Sequence, residues 1–211
     1  ARLVAFLRDG LASYAERRNL PAAEWGTSGL SPHLHLGEVS PRAVWHAAKA
    51  QGGAGLETFL KELLWREFSH HLLWHRPEMP EEPLRPAYKA FPWRHDAAML
   101  AAWRRGRTGV PIVDAGMRQL WRSGWMHNRV RMIVASFLVK HLLQPWQSGE
   151  AWFRDTLVDA DLAANAAVAE ALAHPMLGGG DGAIDLLLAL AGGPGPAPRT
   201  IGPARIVVEN E

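Results

Sequence analysis

LETFLKELLWREFSHHLLWH, at residues 56–75, is the longest segment whose apolar positions repeat with the period of an α-helix. Its apolar residues are spaced three or four apart and therefore fall on one side of a helix. They are Phe59, Leu60, Leu63, Leu64, Phe68, Leu72 and Leu73. The spacing predicts one long helix over residues 56–75 that buries this side.

Similar patterns on both sides of this segment predict further helices. Ser40-Pro41 is an N-cap followed by the first-turn proline that helices favour, and it opens a helix that ends near Gln51. Loops are expected at 19–32 and in the proline-rich stretch 76–94. The remaining helices are expected at 2–18, 95–105, 111–123, 125–143, 148–157, 163–177 and 184–191. No hairpin signal interrupts them, so the predicted fold class is all-α.

Composition excludes several classes of protein. The chain has 211 residues, a formal net charge of +2 and no Cys. Disulfide frameworks, thiolate metal sites and cysteine-held iron–sulfur clusters are therefore excluded. No apolar run is long enough for a membrane span, and the first residues show no secretory signal. A cytoplasmic monomer without a membrane partner is expected.

Charge is distributed unevenly along the chain. Residues 1–131 carry a net charge of +7, whereas residues 132–211 carry −5. The stretch 85–131 contains ten basic residues, nine of them Arg, against two acidic ones. Guanidinium groups match phosphate oxygens in pairs, so this stretch indicates either a nucleic-acid surface or a set of solvated helix faces.

The aromatic residues divide the chain into two parts. All ten Trp lie between Trp25 and Trp152, and several of them neighbour an Arg. Aromatic rings interleaved with Arg suit planar ligands such as a flavin or a nucleobase. Residues 168–211 contain eight Gly, five Pro and no aromatic residue. We therefore expect one domain at 1–167 and a divergent Ala/Gly/Pro-rich tail at 168–211, whose glycine run lacks the Lys-Ser/Thr of a phosphate loop.

Five sequence segments occur in an order that resembles one known family. They are TSGLSPHLHLGEVSPR (27–42), ELLWREF (62–68), GRTGVPIVDAGMRQL (106–120), GWMHNRVRM (124–132) and DADLAAN (159–165). In this order they resemble the DNA photolyase/cryptochrome family over residues 14–167. The resemblance is to class I-like photolyases of cyclobutane pyrimidine dimers. It implies the multi-helix FAD-binding domain of that family, incomplete at its C-terminal side.

The resemblance implies FAD as the cofactor. Small hydroxyls and backbone N–H groups before a helix suit its phosphates, although Gly29 stands where the family often has Arg, so that contact is either missing or supplied elsewhere. Asp159 is the family's candidate partner for Arg66, and Asn165 matches the position facing flavin N5. The implied FAD-binding residues are Tyr14, Thr27, Ser28, Gly29, Leu30, Ser31, Arg66, Trp125, Asn128, Arg131, Asp159, Asp161 and Asn165.

The resemblance also implies damaged DNA as the partner. Its DNA-binding residues are Glu62, Trp65, Arg66, Asn128 and Arg129. A flipped dimer needs an apolar wall and a polar contact to its base edges, which Trp65 and Glu62 would supply. The alternatives are a core role for Trp65 and a surface pair of Glu62 with Arg66. Relatives that repair (6-4) photoproducts usually carry His-His-Leu where this chain has residues 127–129, so cyclobutane dimers are favoured.

The implied catalytic residues are Glu62, Asn165, Trp93 and Trp146. Trp146 and Trp93 match the middle and outer members of the family's electron-transfer chain of tryptophans. Ala169 stands at the flavin-proximal position of that chain, so the relay is expected to lack its first carrier. No α/β antenna domain precedes the helical part, so an antenna chromophore is not expected.

Two histidine pairs are candidates for metal ligands. His33 and His35 lie two apart in an expected loop, and His71 and His75 lie four apart on a predicted helix. Neither pair has a convincing third ligand, so no metal is expected.

The function implied by the resemblance is light-dependent repair of cyclobutane pyrimidine dimers by electron transfer from reduced FAD. The altered C-terminal part would impair this activity. Three alternatives remain open: a cryptochrome-type flavin photoreceptor, an inactive flavin- and DNA-binding remnant, and a flavin-free helical module that binds DNA.

Overall fold

A computed structural model describes residues 1–23, 25–83 and 89–173 as a helical fold, with no strand among them. The all-α prediction is confirmed for this part of the chain. Its α-helices are α1 (Arg2–Asp9), α2 (Tyr14–Arg17), α3 (Ser31–His35), α4 (Pro41–Gln51), α5 (Leu56–His75), α6 (Ala97–Arg104), α7 (Pro111–Ser123), α8 (Asn128–Ser136), α9 (Trp146–Thr156) and α10 (Leu162–Ala173). A π-helical turn, Phe137–His141, follows α8.

Local sequence signals set several helix ends. The Ser40 side chain accepts a hydrogen bond of 3.1 Å from Ala43 N at the start of α4. The Asp96 side chain accepts hydrogen bonds from Ala98 N and Met99 N at the start of α6. Such N-caps satisfy amide groups that have no partner within the helix. As predicted from Ser40-Pro41 and from the apolar spacing, α4 begins at Pro41 and ends at Gln51, and α5 covers residues 56–75.

Helix α5 packs against α2 and α4, and also against α10. Phe59 faces the N-terminal helices, with its ring centroid 4.9 Å from that of Phe6 and 5.4 Å from that of Tyr14. Val44, Ala48 and Leu63 complete this buried cluster. Phe59 and Leu63, from the apolar side predicted for α5, therefore belong to one of the two main cores in the described residues, whereas Leu64 from the same side is 53% exposed.

The second core lies among α6, α7, α8 and α9. Trp103 is fully buried there, and its indole Nε1 donates a hydrogen bond of 2.9 Å to the carbonyl oxygen of Val134. Gly149 brings α9 close to this core, since a Cβ at that position would lie 2.7 Å from Leu138 Cδ2. This core holds α8, which carries several of the predicted site residues.

Three local predictions differ from the structure. The helix expected at 2–18 is interrupted between α1 and α2, where Phe6 packs so closely that a Cβ on Gly10 would lie 2.7 Å from its ring. The helix expected at 125–143 begins at Asn128 and changes to the π-helical turn. His33 and His35, expected in a loop, lie in the short helix α3.

The described residues reach only the beginning of the expected tail. Helix α10 crosses the predicted domain boundary at residue 167 and is described as far as Ala173. Residues 174–211, including the helix expected at 184–191, lie outside the described part, so the division into two regions stays a prediction. Within the described residues, no helix is long and apolar enough to cross a membrane.

Candidate functional site

A cavity of about 330 Å³ lies among α2, the loop before α3, α5, α8 and α10. It brings together all the residues predicted to bind FAD and all those predicted to bind DNA. Its lining is Tyr14, Arg18, Thr27, Ser28, Gly29, Leu30, Ser31, Leu34, Phe59, Glu62, Leu63, Trp65, Arg66, Ser69, Trp125, Met126, Asn128, Arg129, Arg131, Asp159, Asp161, Ala164 and Asn165. Segments far apart in sequence thus share one concave site, as ligand sites typically do.

Thr27, Ser28 and Ser31 contribute three hydroxyl groups to the cavity wall. The Ser28 hydroxyl accepts a hydrogen bond of 3.3 Å from Leu30 N, and Leu30 itself is buried in the N-terminal core. Gly29 has a φ of +62°, a backbone conformation that glycine adopts without steric cost. The loop therefore presents small hydroxyls and backbone groups to the cavity while Leu30 anchors it.

Arg131 is the partner of Asp159, which corrects the predicted pairing of Asp159 with Arg66. Arg131 Nη2 lies 2.9 and 2.8 Å from the two Asp159 carboxylate oxygens, and Arg131 Nε donates to the Met126 carbonyl oxygen at 2.7 Å. The Asp159 side chain is only 1% exposed. Arg66 instead contacts Glu67 at 2.9 Å and lies 3.6 Å from Asp161. Arg131 is therefore the partner of Asp159, and Arg66 is the arginine near Asp161.

Asp161 directly precedes α10, and Asn165 lies in the first turn of that helix. Asp161 Oδ1 accepts a hydrogen bond of 3.0 Å from Ala164 N, which caps the helix, and its other oxygen lies 3.4 Å from His70 Nε2. Asn165 Nδ2 is buried and has no hydrogen-bond partner among the described residues. A buried amide donor normally has a partner, so the cavity suits a ligand that offers an acceptor to Asn165.

Glu62 stands at the opposite wall with Arg18, whose Nη2 lies 2.7 Å from its carboxylate. This pair replaces the alternative surface pair of Glu62 with Arg66. Burial raises the pKa of Glu62, and the charges of Arg18 and Arg129 oppose that shift. Burial and the charge of Glu62 also raise the pKa of Tyr14. The wall thus holds a carboxyl that retains a proton more readily than an exposed one.

Trp65 and Arg129 border the same part of the cavity. The Trp65 ring meets that of Phe68 edge to face at 5.9 Å between centroids, and Trp65 is partly exposed rather than buried in the core. Arg129 Nε donates to Asn19 Oδ1 at 2.8 Å. Both side chains therefore reach the accessible edge of the cavity.

Members of the basic stretch 85–131 have several different environments. Arg129 and Arg131 line the cavity. Arg104 lies over the Trp152 ring at 5.1 Å from its centroid, and Arg118 donates to the Gly106 carbonyl oxygen at 2.6 Å. Arg85 lies outside the described residues. The role of the stretch as a rim that receives DNA stays a prediction.

Trp93 and Trp146 lie outside the cavity lining. They pack together with Val139, and Trp146 is almost fully buried. Their electron-transfer role and their order as outer and middle carriers stay predictions. The side chain of Ala169 lies outside the described part.

The predicted histidine pairs make other contacts. His33 Nδ1 lies 2.5 Å from Glu38, and the rings of His71 and His75 meet at 4.5 Å between centroids. Within the described part of the chain, no three side chains of the metal-binding types come together.

Arg18 and Ser69 are cavity residues that sequence analysis missed. Arg18 follows Tyr14 by four residues and Ser69 follows Trp65 by four, so helical spacing from a predicted site residue is the signal that could have found them. Met126 was also missed. Arg131 Nε donates to its backbone carbonyl oxygen, and the identity of a side chain does not predict a backbone contact of this kind.

Comparisons with known proteins agree with this geometry. The family model of the FAD binding domain of DNA photolyase matches residues 59–178. The chain belongs to this family. It is 56% identical over 170 residues to a deoxyribodipyrimidine photo-lyase of Agrobacterium fabrum, an alignment covering 79% of this chain and 35% of the relative. It is 43% identical over 175 residues to cryptochrome-1 of Arabidopsis thaliana, covering 78% of this chain and 26% of the relative.

Solved structures show the same similarity. A bacterial class III photolyase from Agrobacterium tumefaciens superposes with a TM-score of 0.79 at 56% identity, covering 82% of this chain and 36% of that one. The chain therefore spans little more than a third of the length of these photolyases. The class I-like assignment within the family stays a prediction.

Exchange of Arg131 for Leu tests the corrected ion pair. It leaves the buried Asp159 carboxylate without its partner, so we expect the free energy of unfolding to fall by roughly 3–5 kcal/mol. Arg66→Leu removes contacts to more exposed carboxylates and should cost less than about 1 kcal/mol. Urea unfolding of both variants measures the difference. Equal losses would contradict the assignment of Asp159 to Arg131.

The buried side chain of His127 should make the stability of the folded chain depend on pH. His127 is buried, and its Nδ1 accepts a hydrogen bond of 3.1 Å from Arg129 N at the start of α8. Burial lowers the pKa of His127, and the charges of Arg129, Arg131 and Arg18 lower it further. The unfolded chain therefore binds this proton more readily. The contribution of His127 to the free energy of unfolding should be fully present above the pKa of the unfolded chain, about 6.5. It should be lost as the pH falls towards the lower pKa of His127 in the folded chain.

His127→Asn keeps a residue that caps helices well but does not titrate. We expect the loss of stability below about pH 6.5 to be shallower in this variant than in the wild-type chain. Thermal unfolding between pH 5 and 8 gives both curves, and their difference removes the contribution of the other histidines. Parallel curves would show that His127 does not titrate in this window.

Proposed function

We propose that this chain binds FAD in the cavity and serves light-dependent repair of cyclobutane pyrimidine dimers in DNA. The observation that carries the proposal is the convergence of the predicted FAD-binding and DNA-binding residues on one cavity of about 330 Å³. The family match to an FAD-binding domain supports the cofactor. The photo-lyase names of its relatives support the reaction.

The residues of the cavity fit the chemical groups of FAD. The Thr27–Ser31 loop offers hydroxyl and amide donors for phosphate oxygens. Asn165 Nδ2 lacks a partner among the described residues and can donate to a flavin ring acceptor. Arg66, which lies near Asp161, can add a positive charge beside the ring. When bound and reduced, FAD supplies a light-excited electron donor to the dimer.

The wall formed by α5 fits the lesion. Trp65 offers an apolar surface for a base that has left the duplex, and Glu62 offers a polar contact to its edge. The Glu62 carboxylate, which pairs with Arg18 at 2.7 Å, can accept hydrogen bonds from base N–H groups. Arg129 provides a charge for a backbone phosphate at the accessible edge. Asn128 lies beside it at the start of α8 and is exposed.

A cryptochrome-type photoreceptor is the second candidate, favoured by the 43% identity to cryptochrome-1 of Arabidopsis thaliana. It would use the same FAD pocket without repairing DNA. Loss of dimers under blue light, measured on the chain loaded with reduced FAD, distinguishes the two. Flavin binding without any loss of dimers would favour the photoreceptor.

Two substitutions separate recognition of the lesion from general DNA affinity. Trp65→Ala should reduce the preference for dimer-containing DNA, because the apolar wall touches only a flipped base. Arg129→Ala should weaken binding to damaged and undamaged DNA alike. The slope of log affinity against log salt should become shallower by about 0.9 for each phosphate that Arg129 neutralises in the wild-type chain. Fluorescence anisotropy of labelled duplexes with and without one dimer, over a range of salt concentrations, measures both effects.

Trp74→Ala and Arg8→Ala are the matched controls, and neither should change either measurement. Trp74 lies on the same helix as Trp65 but is 84% exposed, and Arg8 is exposed and lies outside the basic stretch 85–131. Neither residue lines the cavity. If Trp65→Ala weakened the binding of damaged and undamaged DNA equally, the wall assigned to Trp65 would be wrong.

A further inference from the structure

Arg2, on α1, holds the loop that precedes the cavity. Its Nε donates a hydrogen bond of 2.8 Å to the carbonyl oxygen of Ser28. Its guanidinium carbon also lies 4.4 Å from the centroid of the Trp25 ring, in the arrangement of a cation–π contact. One side chain thereby contacts the loop at two points. Arg2 lies outside the sequence motif 27–42 that contains the loop.

The same Arg2 side chain lies directly beside Gly29. A Cβ at Gly29 would lie 2.7 Å from Arg2 Nη2 and 2.9 Å from Arg2 Nε. Gly29 also has a φ of +62°, and Trp25 has a φ of 57°, which is rare for a bulky residue. The Arg2 guanidinium thus occupies the space towards which a side chain at position 29 would project.

We propose that Arg2 is a positioning residue that fixes the Thr27–Ser31 loop for the phosphates of FAD, an inference that rests on the proposed function. The carbonyl of Ser28 and the N–H of Gly29 belong to one planar trans peptide, so they point in opposite directions. Anchoring the carbonyl to Arg2 turns the Gly29 N–H away from Arg2. In that orientation the N–H is a donor for a phosphate oxygen.

The expected effect follows from the population of the binding-competent loop. Without Arg2 the Ser28–Gly29 peptide can rotate, and the apparent dissociation constant rises by the factor by which the competent fraction falls. A charged hydrogen bond at a partly exposed site makes this about a five- to tenfold increase for FAD. Riboflavin has the same ring system but no phosphate, so its affinity should change less than about twofold.

The test is a titration of wild type, Arg2→Ala and Arg2→Lys with FAD and with riboflavin. Quenching of flavin fluorescence measures the affinity in each case. Lys keeps the charge but lacks the planar guanidinium, so it cannot donate to the Ser28 carbonyl oxygen and stack on Trp25 at the same time. Arg2→Lys should therefore lose most of the FAD affinity that Arg2→Ala loses. The unfolding temperature of the flavin-free chain should change by less than about 2 °C, since Arg2 is exposed.

Gly29→Ala provides a second test, because its methyl group should displace the guanidinium of Arg2. It should weaken FAD binding in the wild-type chain and add little to Arg2→Ala, since the two changes break the same interaction. Gly37→Ala is the matched control for backbone strain: Gly37 has a φ of +72°, and a Cβ there would meet nothing within 4 Å.

Three results would overturn the role of Arg2 while leaving FAD binding intact. These are unchanged FAD affinity in Arg2→Ala, equal reductions in affinity for FAD and riboflavin, and wild-type affinity in Arg2→Lys. Fully additive effects of Arg2→Ala and Gly29→Ala would also contradict a shared interaction. If the wild-type chain failed to bind FAD at all, both the proposed function and this inference would be wrong.

Discussion

The ion pair between Arg131 and Asp159 joins two walls of the cavity. Arg131 lies on α8, and Asp159 lies in the turn between α9 and α10. Because the carboxylate is almost completely buried, loss of Arg131 would leave it without its charged partner. The second hydrogen bond of Arg131, to the Met126 carbonyl oxygen, fixes the segment that leads into α8. The pair therefore sets where Asn128 on one wall stands relative to Asn165 on the other.

Helix α5 contributes to both the core and the site, because some of its positions carry buried apolar residues and others carry residues that line the cavity. Phe59 and Leu63 face the N-terminal core, while Glu62 and Trp65 reach the accessible part of the cavity. A helix turns by about 100° per residue, so neighbouring positions can serve different surfaces. Glu62, Trp65 and Arg66 of this helix line the cavity, whereas Glu57, Lys61 and Trp74 are exposed to solvent.

Features governed by local interactions could be predicted from the sequence. The bounds of α4 and α5 follow from a serine cap and from apolar spacing, and the site residues follow from the motifs. The partners of the charged groups could not be predicted in this way. Arg131 and Asp159 are 28 residues apart, and Arg18 and Glu62 are 44 apart, so their pairing depends on how the helices pack. The interruption between α1 and α2 is different, because Gly10 marks it in the sequence as a residue that disfavours helices.

Circular dichroism in the visible range tests most directly whether this cavity holds FAD. Free FAD gives a weak signal there, whereas a flavin fixed in an asymmetric site gives an induced band. We expect a band that saturates at one FAD per chain and disappears when Arg131→Leu separates the walls. A chain with a helical far-ultraviolet spectrum and no induced band at saturating FAD would contradict the assignment of the cavity to FAD.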